Sequence, residues 1–470
     1  MERPDAERQF RTGRDAGSFL PGGGPRTLRA MTDTTTLLIV ALFLLIASSV
    51  LVGELFSQLG QAALVGQLLV GVILGPTLLA PYLGLTQLSS ELSGLQFLAT
   101  FFILLMSGLA VSPEQIWKTG LPAALLGLAV FLGPFFGGIG VVRLLYPHLP
   151  LDTALFIALT ISITALPVLG VMLREFGLST TRFGTFLLNG SVINELAAVT
   201  AFAILLRLPA HTSSGQEWIV GTEAVVTVGL FLVSVLAVHM TLRSLRTVRI
   251  WDRFVERFRA TWHSREAGFA LLMVMGLGAA LYSQYLGLTF LVGAFYAGLL
   301  VTPESAGPRE HRNISLVFDA ITWGFFIPLF FALVGFGMNL RTLDTSVAAL
   351  VAFSILSLYA LGSKVLAGGG VARLLGWSGP ESLCAGYLLT SRGAVELAMA
   401  VILLQDGIFN TELFTIVAGV GLVTTFISPI GARRYVSDIG ATRRAPETEN
   451  RPPPLSLWLP PEAEENPADG

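Results

Sequence analysis

Residues 189–202 read NGSVINELAAVTAF and set an amide and a carboxylate, Asn194 and Glu195, side by side in an otherwise apolar run. A carboxylate is a hard oxygen ligand that takes either a proton or an alkali cation, each excluding the other. The neighbouring amide offers a neutral carbonyl oxygen but cannot carry a proton. Lys364, Arg392 and Glu396 also lie well inside apolar stretches. If those stretches cross a bilayer, each buried charge costs roughly 2.5–3.5 kcal/mol on the lenient insertion scale and needs a partner or a water-filled site. Arg392 and Glu396 are four residues apart on one helical face, so they either neutralise each other or cap broken helix ends. Lys364 either pairs with Glu195 or steadies a helix end. The stretch ALTISITALPVLGVMLREFG (158–177) adds the hydroxyls of Ser162 and Thr164 and a helix breaker, Pro167. With carbonyls freed by such a break, these hydroxyls could complete the oxygen shell of Na⁺ or K⁺ around Glu195 and Asn194.

The elements that hold these groups must be membrane helices. Of the 470 residues, 53% are hydrophobic and only 13% charged, and the mean hydropathy is +0.72. This composition is that of a polytopic membrane protein. A net charge of −2 points to no nucleic-acid partner. A single cysteine, Cys384, excludes an internal disulfide framework. At about 20 apolar residues per crossing, the sequence predicts about thirteen transmembrane helices between 36 and 432. Glu195 falls on span 6 (184–206), Lys364 on span 11 (346–372), and Arg392 with Glu396 on span 12 (380–404). Residues 1–35 are expected to form a disordered arm, and Met31 is a second candidate start. Residues 433–470, rich in Pro and Glu, are expected to be a disordered cytoplasmic tail.

Loops after odd-numbered spans hold Lys118, Arg174, Arg182, the arginines from Arg243 to Arg265, Arg309, Arg312, Arg373, Arg433 and Arg434. Loops after even-numbered spans hold only Arg143, Arg207 and Arg341. The bias places the odd loops and the C-terminus in the cytoplasm and the N-terminus outside a cell membrane. The arginine-rich stretch 241–266 suits contact with anionic membrane lipid, although plain topology accounts for most of it.

The chain also resembles itself. LVGQLLVGVILGP (64–76) matches LVGAFYAGLLVTP (291–303), with Gly293 lying 227 residues after Gly66. FFILLMSGL (101–109) matches FFALVGFGM (330–338) at a shift of 229. The shift moves each span on by seven, an odd number, so the copies face opposite ways across the membrane. Repeat one would cover 36–206, a linker helix 217–242, and repeat two 266–432. Polar interruptions at matching places, span 5 at Ser162–Pro167 and span 12 at Thr390, Ser391, Arg392 and Gly393, point to a midplane ion site between two discontinuous helices.

GELFSQLGQAALVGQLLVGVILGP (53–76), SITALPVLGVMLREFGL (162–178), LVGAFYAGLLV (291–301), PLFFALVGFGMNL (328–340), SKVLAGGGVARLLG (363–376) and SRGAVELAMA (391–400) occur in order over about 36–432. Together they resemble the monovalent cation/proton antiporters of the sodium/proton antiporter fold, in particular the second cation:proton antiporter family. The resemblance implies an all-α inverted-repeat fold in which spans 5 and 12 are unwound and cross near the ion. It implies ion-binding roles for Thr164, Asn194 and Glu195 and a basic neighbour in Lys364. It also implies an elevator-like motion of a core against a scaffold, a homodimer, and no cofactor or enzymatic activity. Two departures stand out. Relatives in this branch usually carry Asp-Asp, and related electroneutral exchangers Asn-Asp, where this chain has Asn194-Glu195. One titrating carboxylate implies one-for-one exchange, and its extra methylene puts site geometry and ion choice in question. No Gly-rich nucleotide-binding pattern follows residue 432. A sodium-coupled organic-anion symporter and an ion channel remain the alternatives. A buried lysine beside carboxylates and the absence of a repeated filter loop favour the carrier.

Overall fold

The computed structural model describes residues 34–111, 120–207, 217–245, 267–302, 308–344 and 347–439. Most of the expected N-terminal arm, Lys118, the arginines from 246 to 265 and the tail from 440 lie outside the described residues. The described chain is helical, and each predicted span falls on helix. The helices are α1 (Thr34–Gln58), α2 (Ala63–Leu74), α3 (Ser89–Leu109), α4 (Gly120–Leu145), α5a (Leu151–Ser162) and α5b (Leu166–Glu175). There follow α6 (Arg182–Leu205), α7 (Glu217–Leu245), α8 (Ala267–Tyr285) and α9 (Phe290–Leu300). The last group is α10a (Pro308–Ile321), α10b (Ile327–Gly337), α11 (Val347–Leu374), α12a (Gly379–Leu388), α12b (Ala394–Gln405) and α13 (Thr411–Ile439). Among the described residues, nine helical segments have the length and hydropathy to cross a bilayer, and further apolar helices are shorter. Two boundaries differ from expectation. The first helix already includes Thr34, and α13 continues to Ile439, seven residues past the expected end of the membrane domain at 432. Its last turns bury Ala432 and Ile439 in a cluster with Leu173 and Phe183, and this packing sustains the helix beyond the apolar run.

Large apolar side chains point outward, including Phe43 (69% exposed), Val347 (80%) and Leu366 (76%). Such a surface is stable against lipid and unstable in water. The chain is a multi-pass membrane protein.

The helices form two bundles. α1–α3 pack with α8–α10, and α4–α6 pack with α11–α13, while α7 packs against α6 and α9 and stacks Phe231 on Tyr282 of α8. The repeat is visible in the contacts. α2 lies on α10b as α9 lies on α3. A Cβ on Gly71 would strike the Ala332 carbonyl, and one on Gly298 would strike that of Leu105. Likewise Gly108 abuts Phe295, and Gly335 abuts Leu68. Every member of these paired contacts lies 227 residues from its counterpart. The packing therefore sets the whole α1–α3 and α8–α10 repeat at one shift of 227 and corrects the 229 read from FFILLMSGL. The shift of 229 pairs Phe101 and Phe102 with Phe330 and Phe331, whereas the close approach of backbones pairs Gly108 with Gly335. Small residues permit such approach where lipid supplies no hydrophobic drive.

Candidate functional site

The site lies where the two broken helices cross. α5 stops at Ser162 and runs extended through Ile163 (φ −75°, ψ 144°) and Ala165 (φ −80°, ψ 109°) before α5b begins. Pro167, in the first turn of α5b, has no N–H to give and would clash with a preceding helical carbonyl, so it favours a break here. α12 stops at Leu388 and restarts at Ala394. A Cβ on Gly393 would come within 2.6 Å of the Ala165 Cβ, so the crossing requires glycine there. The Ala165 amide donates to the Ser391 carbonyl at 3.1 Å and ties the two breaks together.

Broken helices leave orphan amides and carbonyls that must find partners away from water. The polar residues singled out in the sequence supply most of them. Asn194 bridges the α5 break: its Oδ1 accepts from the Thr164 amide at 2.8 Å and its Nδ2 donates to the Ser162 carbonyl at 3.1 Å. The Thr164 hydroxyl donates to the Leu389 carbonyl at 2.9 Å. Lys364 Nζ donates to the Ser162 carbonyl at 2.6 Å and to Thr164 Oγ1 at 2.5 Å. Of the two roles left open for Lys364, the geometry is that of a cation on a helix C-terminus, where carbonyl dipoles favour positive charge. Arg392 Nη1 donates to the Thr160 carbonyl at 2.6 Å, so both cations sit on the carboxyl end of α5a. Arg392 also stands 3.4 Å from Glu396, and both are buried. The two readings of that pair hold together: it is a charge pair whose arginine also caps a broken helix. The Ser162 hydroxyl turns back to its own helix, donating to the Ala158 carbonyl at 2.6 Å.

Glu195 is fully buried on α6. Its Oε1 accepts a hydrogen bond from the hydroxyl of Ser107 on α3, and its buried Oε2 has no hydrogen-bond partner among the described residues. A narrow, mainly apolar cleft between the bundles is lined by Ser107, Met106, Pro167, Val168, Trp323 and Phe331. Trp323 lies in a π-helical turn, Thr322–Phe326, that joins α10a to α10b. Such turns recur at functional sites. Among the described residues no cluster of three or more His, Cys, Asp or Glu could hold a metal ion.

The structure thus brings Ser162, Thr164, Asn194, Glu195, Lys364, Arg392 and Glu396 to one crossing. It adds two residues that sequence reasoning passed over. Thr425 on α13 accepts from the Arg392 amide at 3.0 Å, and so does for the α12 break what Asn194 does for α5. Ser107 reaches Glu195 from the other bundle. A hydroxyl inside FFILLMSGL was a visible signal, since its counterpart is apolar at either shift: Val334 at 227 and Phe336 at 229.

A family model described as the transmembrane sodium/hydrogen exchanger matches residues 37–437. The Na(+)/H(+)-K(+) antiporter GerN of Bacillus cereus is 23% identical over 386 residues, which is 82% of this chain and 93% of that protein. The K(+)/H(+) antiporter 1 of Saccharomyces cerevisiae is 28% identical over 434 residues, 88% of this chain and 48% of the yeast protein. The chain therefore spans about half the length of that relative. The structure of the sodium proton antiporter MjNhaP1 from Methanocaldococcus jannaschii at pH 8 matches with a TM-score of 0.59 at 16% identity. The match covers 86% of this chain and 96% of that one and is a likeness of fold.

Proposed function

The chain belongs to the transmembrane sodium/hydrogen exchanger family, and from that premise we propose that it exchanges a monovalent cation, Na⁺ or K⁺, for protons by alternating access. Glu195 is the group that binds cation or proton in turn. The observation that carries this reading is its geometry: a fully buried carboxylate near the crossing of two broken helices, with one oxygen lacking a hydrogen-bond partner among the described residues. Competition for one carboxylate is enough for exchange. The carrier crosses when a proton or a cation neutralises that charge, and stays put when the site is empty and charged. Asn194 and Thr164 shape the break around it. Their polar atoms engage each other and the freed backbone in this arrangement, so in this reading a cation draws on them only after those bonds rearrange. Lys364 and Arg392 neutralise the carboxyl end of α5a rather than Glu195, which leaves a single carboxylate to exchange and supports one-for-one stoichiometry.

In this mechanism α4–α6 and α11–α13 move as a core against α1–α3 and α8–α10. The proposal extends to a homodimer in the cell membrane, in contact with lipid, with the N-terminus outside and the C-terminus in the cytoplasm. Neither alternative, an organic-anion symporter or an ion channel, is favoured by the relatives.

The test is proton flux in proteoliposomes challenged with Na⁺, K⁺ and Li⁺ in turn. Glu195→Gln is expected to abolish cation-dependent proton movement while eluting as a folded protein on size exclusion. Full retained exchange would overturn the assignment. An imposed membrane potential is expected to leave the wild-type rate unchanged, and a marked voltage response would refute one-for-one exchange.

A further inference from the structure

We propose that Ser107 is a positioning residue that latches the empty, charged carrier: its hydroxyl, on the scaffold helix α3, holds the Glu195 carboxylate of the core helix α6 and so prevents uncoupled movement. The inference rests on the assignment of Glu195 as the exchanged group.

Three observations support it. Ser107 and Glu195 are both fully buried and belong to different bundles, so their hydrogen bond spans the boundary along which the bundles must slide. Ser107 also lines the cleft between the bundles, so its hydroxyl sits at the boundary between them. The pseudo-symmetric position is Val334, so the repeat does not demand a hydroxyl at this place.

The chemistry makes the latch sensitive to loading. A hydroxyl donating to an ionised carboxylate makes a charge-assisted bond, roughly twice as strong as one between neutral groups. Protonation of Glu195 removes that charge and leaves an ordinary hydrogen bond. An alkali cation on the carboxylate competes with the hydroxyl proton, and the hydroxyl can rotate to present a lone pair to the ion instead. Both loaded states therefore loosen the link between bundles, and the unloaded state tightens it. That is the selectivity an exchanger needs, since an empty carrier that crosses turns exchange into a leak.

A second hydrogen bond across the same boundary serves as the control. Thr200 Oγ1 of α6 and the Tyr296 hydroxyl of α9 lie 2.9 Å apart. Both groups are neutral, so that bond does not sense loading at Glu195.

The experiment imposes a pH gradient on proteoliposomes free of alkali cations, with a permeant anion for charge balance. Wild type is expected to pass few protons. Ser107→Ala is expected to raise this cation-independent proton flux by at least about tenfold, the weight of one hydrogen bond to a charged group, while still exchanging cations. Ser107→Thr is expected to restore tight coupling, and Tyr296→Phe to remain tight. The latch is refuted if Ser107→Ala stays fully coupled, or if it raises the KM for cation without a leak, which would make Ser107 an ion ligand only. It is also refuted if Tyr296→Phe leaks as much, since any loosening of the boundary would then suffice. Loss of the underlying antiport reading shows separately, as retained exchange in Glu195→Gln.

Discussion

Glu396 and Arg392 illustrate how charge is kept inside this protein. Both are buried, they approach to 3.4 Å, and among the described residues neither carboxylate oxygen of Glu396 has a hydrogen-bond partner. Arg392 spends its good donor on the Thr160 carbonyl instead. A pair of this kind stabilises little relative to apolar replacements, yet breaking it strands a charge. Glu396→Leu is therefore expected to destabilise the protein by about 3–5 kcal/mol, seen as a lower unfolding temperature in detergent. Replacing Arg392 and Glu396 together with leucine should recover part of that loss, because no buried charge is left over. Equal stability of wild type and Glu396→Leu would show that the pair is not coupled. Residue identities were legible in the sequence at this scale, but partners were not. Lys364 was open to pairing with Glu195 or steadying a helix end, and only the fold put its ammonium on the Ser162 and Thr164 oxygens.

At the scale of elements, the broken helices are dictated partly by local chemistry. Pro167 disfavours continuous helix through α5, yet Pro134 in α4 and Pro429 in α13 sit inside unbroken helices, so the packing at the crossing shares in the decision. The α12 break has no proline, and its requirement is steric: Gly393 fits because Ala165 crosses against it. Gly393→Ala should push the two breaks apart and reduce exchange by about tenfold or more, in line with the effect of an ångström-scale misplacement at a reacting group. Gly278→Ala on α8, where a methyl group would meet nothing within 4 Å, should leave exchange unchanged in the same assay. If both variants behave like wild type, the close crossing is not needed for transport. The register of the repeat was only partly legible. Two short matches showed that a repeat exists, but a two-residue ambiguity in an apolar helix is invisible to composition. Packing resolves it, since Gly108 and Gly335 must each face a backbone.

For the whole molecule, sidedness can be checked directly. Cys384 is buried, so a membrane-impermeant maleimide should report introduced cysteines against a low background. His148→Cys, in the exposed turn between α4 and α5a, should label from outside intact cells, and Arg434→Cys only after permeabilisation. The reverse pattern would invert the topology. Hydropathy, helix breakers and arginine placement are local or periodic properties of the chain, and the bilayer converts them almost directly into spans, breaks and expected orientation. On that basis the amino-acid sequence by itself determined the membrane class, the all-helical character, the presence of a repeat and most of the charged residues at the crossing, but not the hydroxyls of Ser107 and Thr425. The tertiary structure alone decided how those groups are wired: Asn194 across one break, Thr425 across the other, both cations on α5a, and Ser107 on Glu195. These are contacts between residues far apart in the chain, Ser107 and Glu195 being 88 positions apart. Which donor meets which acceptor is set by how two bundles pack, and no local pattern of residues carries that information.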